Sequence, residues 1–208
     1  MDTTATSSVD KGDRRSAQRA ATRARLYEEM VHEFSRRGVA ETEVAGVAKR
    51  AGVSRPAFYV HFNDKDDVLR ELLIVEERGI AEAARSAVGP EATVRMLFTA
   101  VVDAVLAAEE RLGRLLVRDL CAAQFRPEFA RLLAVEDHPL GVMMVEEVAK
   151  RATEVDPVDL AMVFLTGLFG LLATDVAEGA DRRRRLDLLI ELVADPDNAA
   201  SPQARRKP

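Results

Sequence analysis

Cysteine occurs once in the 208 residues, as Cys121, and tryptophan is absent. A lone thiol excludes an intramolecular disulfide framework and a cysteine-rich zinc site. Aromatic residues make up only 5% of the chain. There is no hairpin dipeptide and no sustained alternation of apolar and polar residues, so strand-built folds are excluded and an all-α fold is expected. The longest nearly continuous apolar run, Leu160 to Ala173, is fourteen residues, short of the roughly 18 expected of a membrane span. Lys11, Arg14 and Arg15 are followed by no apolar segment, so no signal peptide is read. The expectation is a soluble, cytoplasmic chain without a membrane partner.

Enzyme signatures are missing too. There is no P-loop, no dinucleotide fingerprint and no His-Glu-x-x-His. Gly52-Val53-Ser54-Arg55-Pro56 approaches a nucleophile elbow, but it ends in proline and follows no strand. Glu136-Asp137-His138 offers metal-ligand chemistry, yet three adjacent residues cannot converge on one ion from regular structure, so a solvated loop is expected. No catalytic residue, metal or cofactor is therefore assigned.

What is present is helical periodicity and an uneven charge. Residues 1–65 hold twelve Lys/Arg against nine Asp/Glu, a net of +3, and residues 66–208 hold eighteen against twenty-six, a net of −8. A basic head on an acidic body suits a protein that meets an anionic partner at one end. About nine helices are read. The first covers 16–37 and stacks Leu26, Met30 and Phe34 before a stop at Arg36-Arg37-Gly38. Short helices follow near 43–50 and 55–61, then longer ones over 65–86 and 91–109. Segments running from Gly113 to Phe125, from Pro127 through Leu133 and over 139–153 come next. Asp156-Pro157-x-Asp159 opens a helix that is apolar on all sides, and 182–194 closes the series. A helix without a polar face has to be covered all round, and a second subunit is the economical cover.

The segment from Thr42 to Phe62 reads as helix, tight turn, helix. Gly52 sits where a positive φ is useful, and Ser54 caps the next helix with Pro56 in its first turn. Val53 and Phe58 form a hydrophobic staple. Arg55, Ala57, Tyr59, Val60 and His61 then offer solvent a base-edge donor, a small contact surface and phosphate-reaching tips, the mixture a major-groove reader needs. Asp64 caps the following helix and brings Lys65 and free N–H groups to the same surface. Tyr59 divides between a phosphate contact and a core position, and His61 between a phosphate donor and helix-end packing.

Thr-x-Val at Thr42, Ala-Gly-Val-Ser ending at Ser54, Phe-Tyr-x-His-Phe at 58–62 and Asp64-Lys65 together resemble the DNA-binding region of the TetR family of transcriptional regulators. The resemblance covers about thirty residues, or fifty with the first helix. It implies that the helix starting at Ser54 enters the major groove, with DNA-binding residues Thr42, Ser54, Arg55, Pro56, Ala57, Tyr59, His61 and Lys65. Family members usually carry a small residue at the position of Pro56 and Thr at that of Ala57. Glu43 stands where a second hydroxyl residue is common, and its charge repels a phosphate. That contact is either lost or moved to Arg14, Arg15 and Arg19.

The implied architecture is a flexible arm (1–13), a helix-turn-helix head (14–64), an effector-binding and dimerisation body (65–196) and a flexible basic tail (197–208). The resemblance implies a homodimer through 157–178 and 182–194, a palindromic double-stranded DNA operator and a small-molecule effector. Phe98, Leu116, Leu120, Cys121, Phe125, Phe129, Met143, Met144 and Phe164 are candidates to line an apolar effector pocket. For each of them taken singly, ordinary core is the better reading. Arg182 to Arg185 open a helix against its dipole, and are expected to splay into solvent or to pair with Glu178, Asp181 or an acid of the partner subunit. The reading is a repressor released by an apolar or amphipathic effector. The alternatives are an activator or architectural DNA binder without an effector, and a helical ligand-binding protein with an inert head.

Overall fold

Apolar residues at three- and four-residue spacing become nine helices among the described residues: α1 (Thr6–Arg37), α2 (Val44–Arg50), α3 (Arg55–Phe58), α4 (Lys65–Ala87), α5 (Val94–Leu112), α6 (Arg114–Ala123), α7 (Pro139–Ala149), α8 (Pro157–Thr174) and α9 (Gly179–Ala194). The structure is a computed structural model that describes residues 6–127, 138–151, 154–174 and 179–194, with side chains from residue 14 onward. Residues 1–5, the stretch holding Phe129 and Leu133, Glu136, Asp137, Glu178 and the tail 197–208 lie outside the described residues. The chain divides into two compact units, Met1–Glu71 and Leu72–Pro208. The division falls inside α4, not at its start between residues 64 and 65.

In the first unit, Leu26, Met30 and Phe34 of α1 are fully buried with Val47 of α2, Phe58 of α3 and Val68 of α4. α1 begins at Thr6, so residues 6–13 correct the expected flexible arm. Once a helix is nucleated, each added residue gains a backbone bond at little further cost. At the other end Gly38 takes a φ of 81° and donates its N–H to Phe34 O at 2.8 Å. α1 is locked to α2 through Glu33, which is buried and accepts from Arg50 at 2.8 Å and Arg37 at 2.9 Å.

The second unit is built on α5, whose Leu97, Phe98, Val101, Val102 and Val105 are all buried. Phe98 stacks on Phe164 of α8 with ring centroids 3.9 Å apart. α5 runs from Val94 to Leu112 behind a Thr93 cap, three residues later at each end than the spacing predicts. α7 ends at Ala149, before the expected 153, and α9 starts earlier than expected, at Gly179; the stretch 175–178, expected in α8, lies outside the described residues.

α8 opens as predicted: Asp156 Oδ1 accepts from the N–H groups of Val158 at 2.8 Å and Asp159 at 3.2 Å. It spans 18 residues at a mean hydropathy of 1.7, so by length and composition it matches a membrane span that the fourteen-residue run did not reach. Only one face of it is packed within the chain. Leu160, Phe164, Leu168 and Leu172 are buried, and it contacts α6, α7 and α9. A Cβ on Gly167 would lie 2.7 Å from Leu189 Cδ1, so glycine permits the close approach of α8 and α9. The opposite face stays open in the single chain, exposing Val158, Met162 and Val163, while α9 exposes Leu188 and Leu192.

The arginine run of α9 does more than splay into solvent. Arg182 is buried and forms a bidentate pair with Glu109 of α5. Arg183 reaches Asp103 of the same helix at 2.6 Å and Asp187 at 2.9 Å. Arg184 makes the expected pair with Asp181, at 3.5 Å and largely in water. Removing one member of a buried pair strands the other charge. Arg182→Ala is therefore expected to lower unfolding stability by about 3 kcal/mol, and Arg184→Ala by less than about 0.5 kcal/mol. Urea unfolding of the two variants against the parent chain checks the contrast.

Candidate nucleic-acid interface and ligand cavity

α2 is capped at its end by Ala51, after which Gly52 takes a φ of 73°. Val53 N–H returns to Ala48 O at 2.9 Å and Gly52 N–H to Lys49 O at 3.2 Å, the paired bonds of a Schellman turn. Ser54 then caps α3, its Oγ accepting from Ala57 N at 3.3 Å. As α-helix α3 is only four residues long, shorter than the expected 55–61. It continues as tight turns, with Val60 N–H bonded to Ala57 O at 3.3 Å and His61 N–H to Phe58 O at 2.9 Å.

One side of this element is anchored by Phe58, fully buried and 5.5 Å from the Phe62 ring. The other side carries Ser54, Arg55, Pro56, Tyr59 and Val60, all exposed, with Ala57 and His61 half-buried. Tyr59 lies between core and surface: its ring meets Phe58 edge-on at 5.3 Å, yet 46% of the residue is exposed. Arg19 of α1 joins this surface, donating from Nη2 to Val60 O at 3.4 Å. Arg14 and Arg15 are exposed on α1 as well, as is Glu43 at the start of α2. Burial, with help from the positive charges of Arg19 and Arg23, pushes the His61 pKa below its usual value. Arg23 also stands 4.5 Å above the Phe62 ring while paired with Glu71.

Two expected contact residues are engaged inside the protein. Thr42, expected to contact a phosphate, is buried, and its hydroxyl donates to Gly38 O at 2.8 Å. Lys65 Nζ donates to Val39 O at 2.6 Å and Ala40 O at 3.0 Å, tying α4 to the turn after α1. Two of its three ammonium protons are thereby taken up by backbone carbonyls. Asp64 does cap α4, accepting from Asp67 N at 2.8 Å.

The second unit holds a cavity of about 330 Å³ walled by α4, α7, α8 and the end of α6, including Phe125, Met162 and Phe169. Glu77, Gln124, His138 and Thr166 supply its polar side chains. A smaller void of about 40 Å³ shares Glu77, Gln124, Leu140 and Phe169 with it, and adds Leu120 and Cys121. Of the expected pocket residues, Phe125, Leu120 and Cys121 thus reach these spaces. Phe98, Leu116, Met144 and Phe164 are a correction: they are fully buried core and line neither space. Met143 is buried beside a shallow groove with Arg85 and Glu146.

Sequence reasoning missed Glu77 and His138. The signal for Glu77 was available: it falls four residues after Leu73 and three before Ile80, on the apolar stripe of α4. His138, assigned to a solvated loop, is half-buried with Nδ1 2.9 Å from Glu77 Oε1. Among the described residues no group of three or more His, Cys, Asp or Glu is placed to hold a metal ion.

Residues 27–72 match the family model for bacterial regulatory proteins, tetR family. The chain is 33% identical over 95 residues to the HTH-type transcriptional regulator AcrR of Shigella flexneri, covering 43% of this chain and 44% of that protein. It is 46% identical over 52 residues to the HTH-type transcriptional regulator TtgR of Pseudomonas putida, 25% of each. Less than half the length of these curated relatives is therefore matched, and they are named as regulators, not enzymes. In fold, the chain is similar to Thermus thermophilus FadR, a TetR-family transcriptional repressor in complex with lauroyl-CoA. The TM-score is 0.61 at 21% identity, over 89% of this chain and 99% of that one. It is also similar to SmeT, the repressor of the Stenotrophomonas maltophilia multidrug efflux pump SmeDEF, with a TM-score of 0.57 at 19% identity over 89% and 96%.

Two outcomes follow from the burial pattern. Burial pushes the Cys121 thiol pKa up to about 12, so the folded protein is expected to be inert to Ellman's reagent at pH 8 and to release one equivalent only on unfolding. Lys65→Met is expected to lower the thermal unfolding midpoint of the DNA-free protein, because it leaves two carbonyls without their charged donor; a bond of this kind contributes about 1.5–3 kcal/mol. Calorimetry in the absence of DNA reads that cost directly.

Proposed function

The chain belongs to the TetR family of transcriptional regulators, and from that premise we propose that it is a homodimeric, effector-released repressor working in the cytoplasm. The observation that carries the reading is the short α3 element: Phe58 holds its inner side while Arg55, Pro56, Tyr59 and Val60 stand exposed. Arg55 is assigned base reading in the major groove, and Tyr59, His61, Ser54 and Arg19 are assigned phosphate contacts. Pro56 and Ala57 contribute a close, small contact surface. Lys65 acts through structure, holding α4 against the end of α1, and adds at most its remaining proton to a phosphate. Thr42 serves the same turn from within.

The open faces of α8 and α9, with Val158, Met162, Val163, Leu188 and Leu192 exposed, support dimerisation there. Two heads related by a two-fold axis read two half-sites of a palindrome, with centres about 34–36 Å apart or slightly more. An apolar or amphipathic effector in the 330 Å³ cavity releases the DNA by favouring one tilt of α4, a single helix with residues in both units. Only a difference in effector affinity between the DNA-bound and released states does this.

The test is fluorescence anisotropy with the DNA immediately upstream of the protein's own gene, against a scrambled fragment, at two salt concentrations. Tight, salt-sensitive binding to the upstream fragment alone is expected; equal weak binding to both fragments overturns an operator there. Arg55→Ala is expected to erode discrimination between the fragments, by about 1–3 kcal/mol. Tyr59→Phe should weaken both similarly. Because the His61 pKa is lowered in the free protein, a phosphate at this site raises it and binding takes up a proton. Operator affinity then rises as pH falls from the bound-state pKa toward the free-state one, by at most about tenfold per pH unit. His61→Gln removes that dependence; a pH-independent wild-type affinity between about pH 5.5 and 7.5, the range in which an imidazole titrates, sinks the role assigned to His61.

A further inference from the structure

We propose that the cavity of the second unit selects a ligand with a protonated nitrogen, received by Glu77, and an apolar remainder lying against Phe125, Met162 and Phe169. This deepens the effector reading above and rests on it only for the consequence on DNA, not for the binding itself. Glu77 is 3% exposed. Its Oε1 accepts from Gln124 Nε2 at 3.1 Å and faces His138 Nδ1 at 2.9 Å. Its Oε2 is buried and has no hydrogen-bond partner among the described residues. A carboxylate offers about four acceptor positions, so one half of this group is served and the other is not.

A buried acceptor left unmade costs free energy in the empty protein and recovers it when a donor arrives. Among the described residues walling the cavity there is no lysine or arginine, and Thr166 brings only a neutral hydroxyl, so a ligand can add the charged donor that this wall lacks. An anionic headgroup is repelled by the same oxygen. A hydroxyl supplies a donor without the charge, and an ammonium supplies both, in a site where a charge-assisted bond is about twice as strong as a neutral one. Apart from Thr166 and Gly141, the rest of the wall is apolar and aromatic: Phe125, Leu140, Met162, Leu165 and Phe169. Phe125 and Phe169 put aromatic rings in that wall, and an aromatic ring attracts a cation more than a neutral group. The volume of about 330 Å³ accommodates a small ligand with one headgroup and a short apolar body.

The experiment uses the full-length protein and three probes of one chain length: octylamine, octanol and octanoate. Isothermal titration calorimetry at pH 7.5 is expected to rank them octylamine, octanol, octanoate, with at least tenfold between the first two. Glu77→Gln is expected to weaken octylamine at least tenfold and to leave octanol unchanged or tighter. Equal affinities for octylamine and octanol in the wild type, tighter binding of octanoate, no binding of any probe, or an unaltered octylamine affinity in Glu77→Gln each overturns the proposal. Should Glu77→Gln fail to fold, the wild-type ranking still decides the charge. Phe125→Trp decides the place, since the chain has no tryptophan of its own: octylamine has to shift its emission, and a silent tryptophan counts against the site. Adding octylamine to the protein–operator complex separates the two readings. Tight binding through Glu77 without release of DNA leaves the cation site standing and removes its role as effector site.

Discussion

The burial of Phe58 is the constraint on which the outward chemistry of the first unit depends. A helix of four residues has no stability of its own, because nucleation costs more than so few bonds return. α3 exists because it is pinned at both ends: Ser54 supplies a cap at the start, and Phe58 is fully buried beside Phe62 at the finish. With the inner side fixed, Arg55 and Tyr59, four residues apart on one stripe, are left exposed to solvent. The Schellman turn at Gly52 sets where the element begins, and the Glu33–Arg50 pair holds α2 against α1. Specificity in such a protein therefore rests on hydrophobic packing as much as on the polar groups that meet the ligand.

How much of this was legible in the sequence depends on whether the information was local. The caps at Ser54, Asp64 and Asp156 and the positive φ at Gly52 and Gly38 are local, and each stands where its neighbours predict. Helix ends were less legible. The predicted 16–37 helix extends back to Thr6, and α5 slides by three residues, because neither boundary is set by a glycine or proline at the helix start. Residue partners across the chain were not legible at all. Thr42 and Lys65 look alike as exposed polar residues in a linear reading, yet both turn to carbonyls of the Gly38–Ala40 turn. Arg182 is 73 residues from its partner Glu109, and no local pattern announces that pair.

The pocket shows the same limit from the other side. Large apolar residues were the natural candidates for its wall, but size and apolarity also define the core. Phe98 and Phe164 went to the core, where they stack on each other. Residues that do line the cavity, such as Phe125 and Met162, are about half exposed. What separates a wall residue from a core residue is the absence of a neighbour on one side, a property of the packing and not of the residue type.

Buried charge supplies the sharper distinction. Among the described residues, Glu33 is met by Arg50 and Arg37, Glu76 by Arg111, and Glu147 by Arg151 and Lys150. In Glu147 those two cations hold the carboxyl at about 2. Each of these acids is satisfied within the fold, and each serves to fasten elements together. Glu77 is buried as deeply, yet its only partners among the described residues are an amide and an imidazole, both on one oxygen. A purely structural carboxylate in this protein is given an arginine or a lysine. A carboxylate at a cavity wall, denied one and half served, is instead placed to take its cation from a ligand, and the free energy of satisfying it is what a bound state can use.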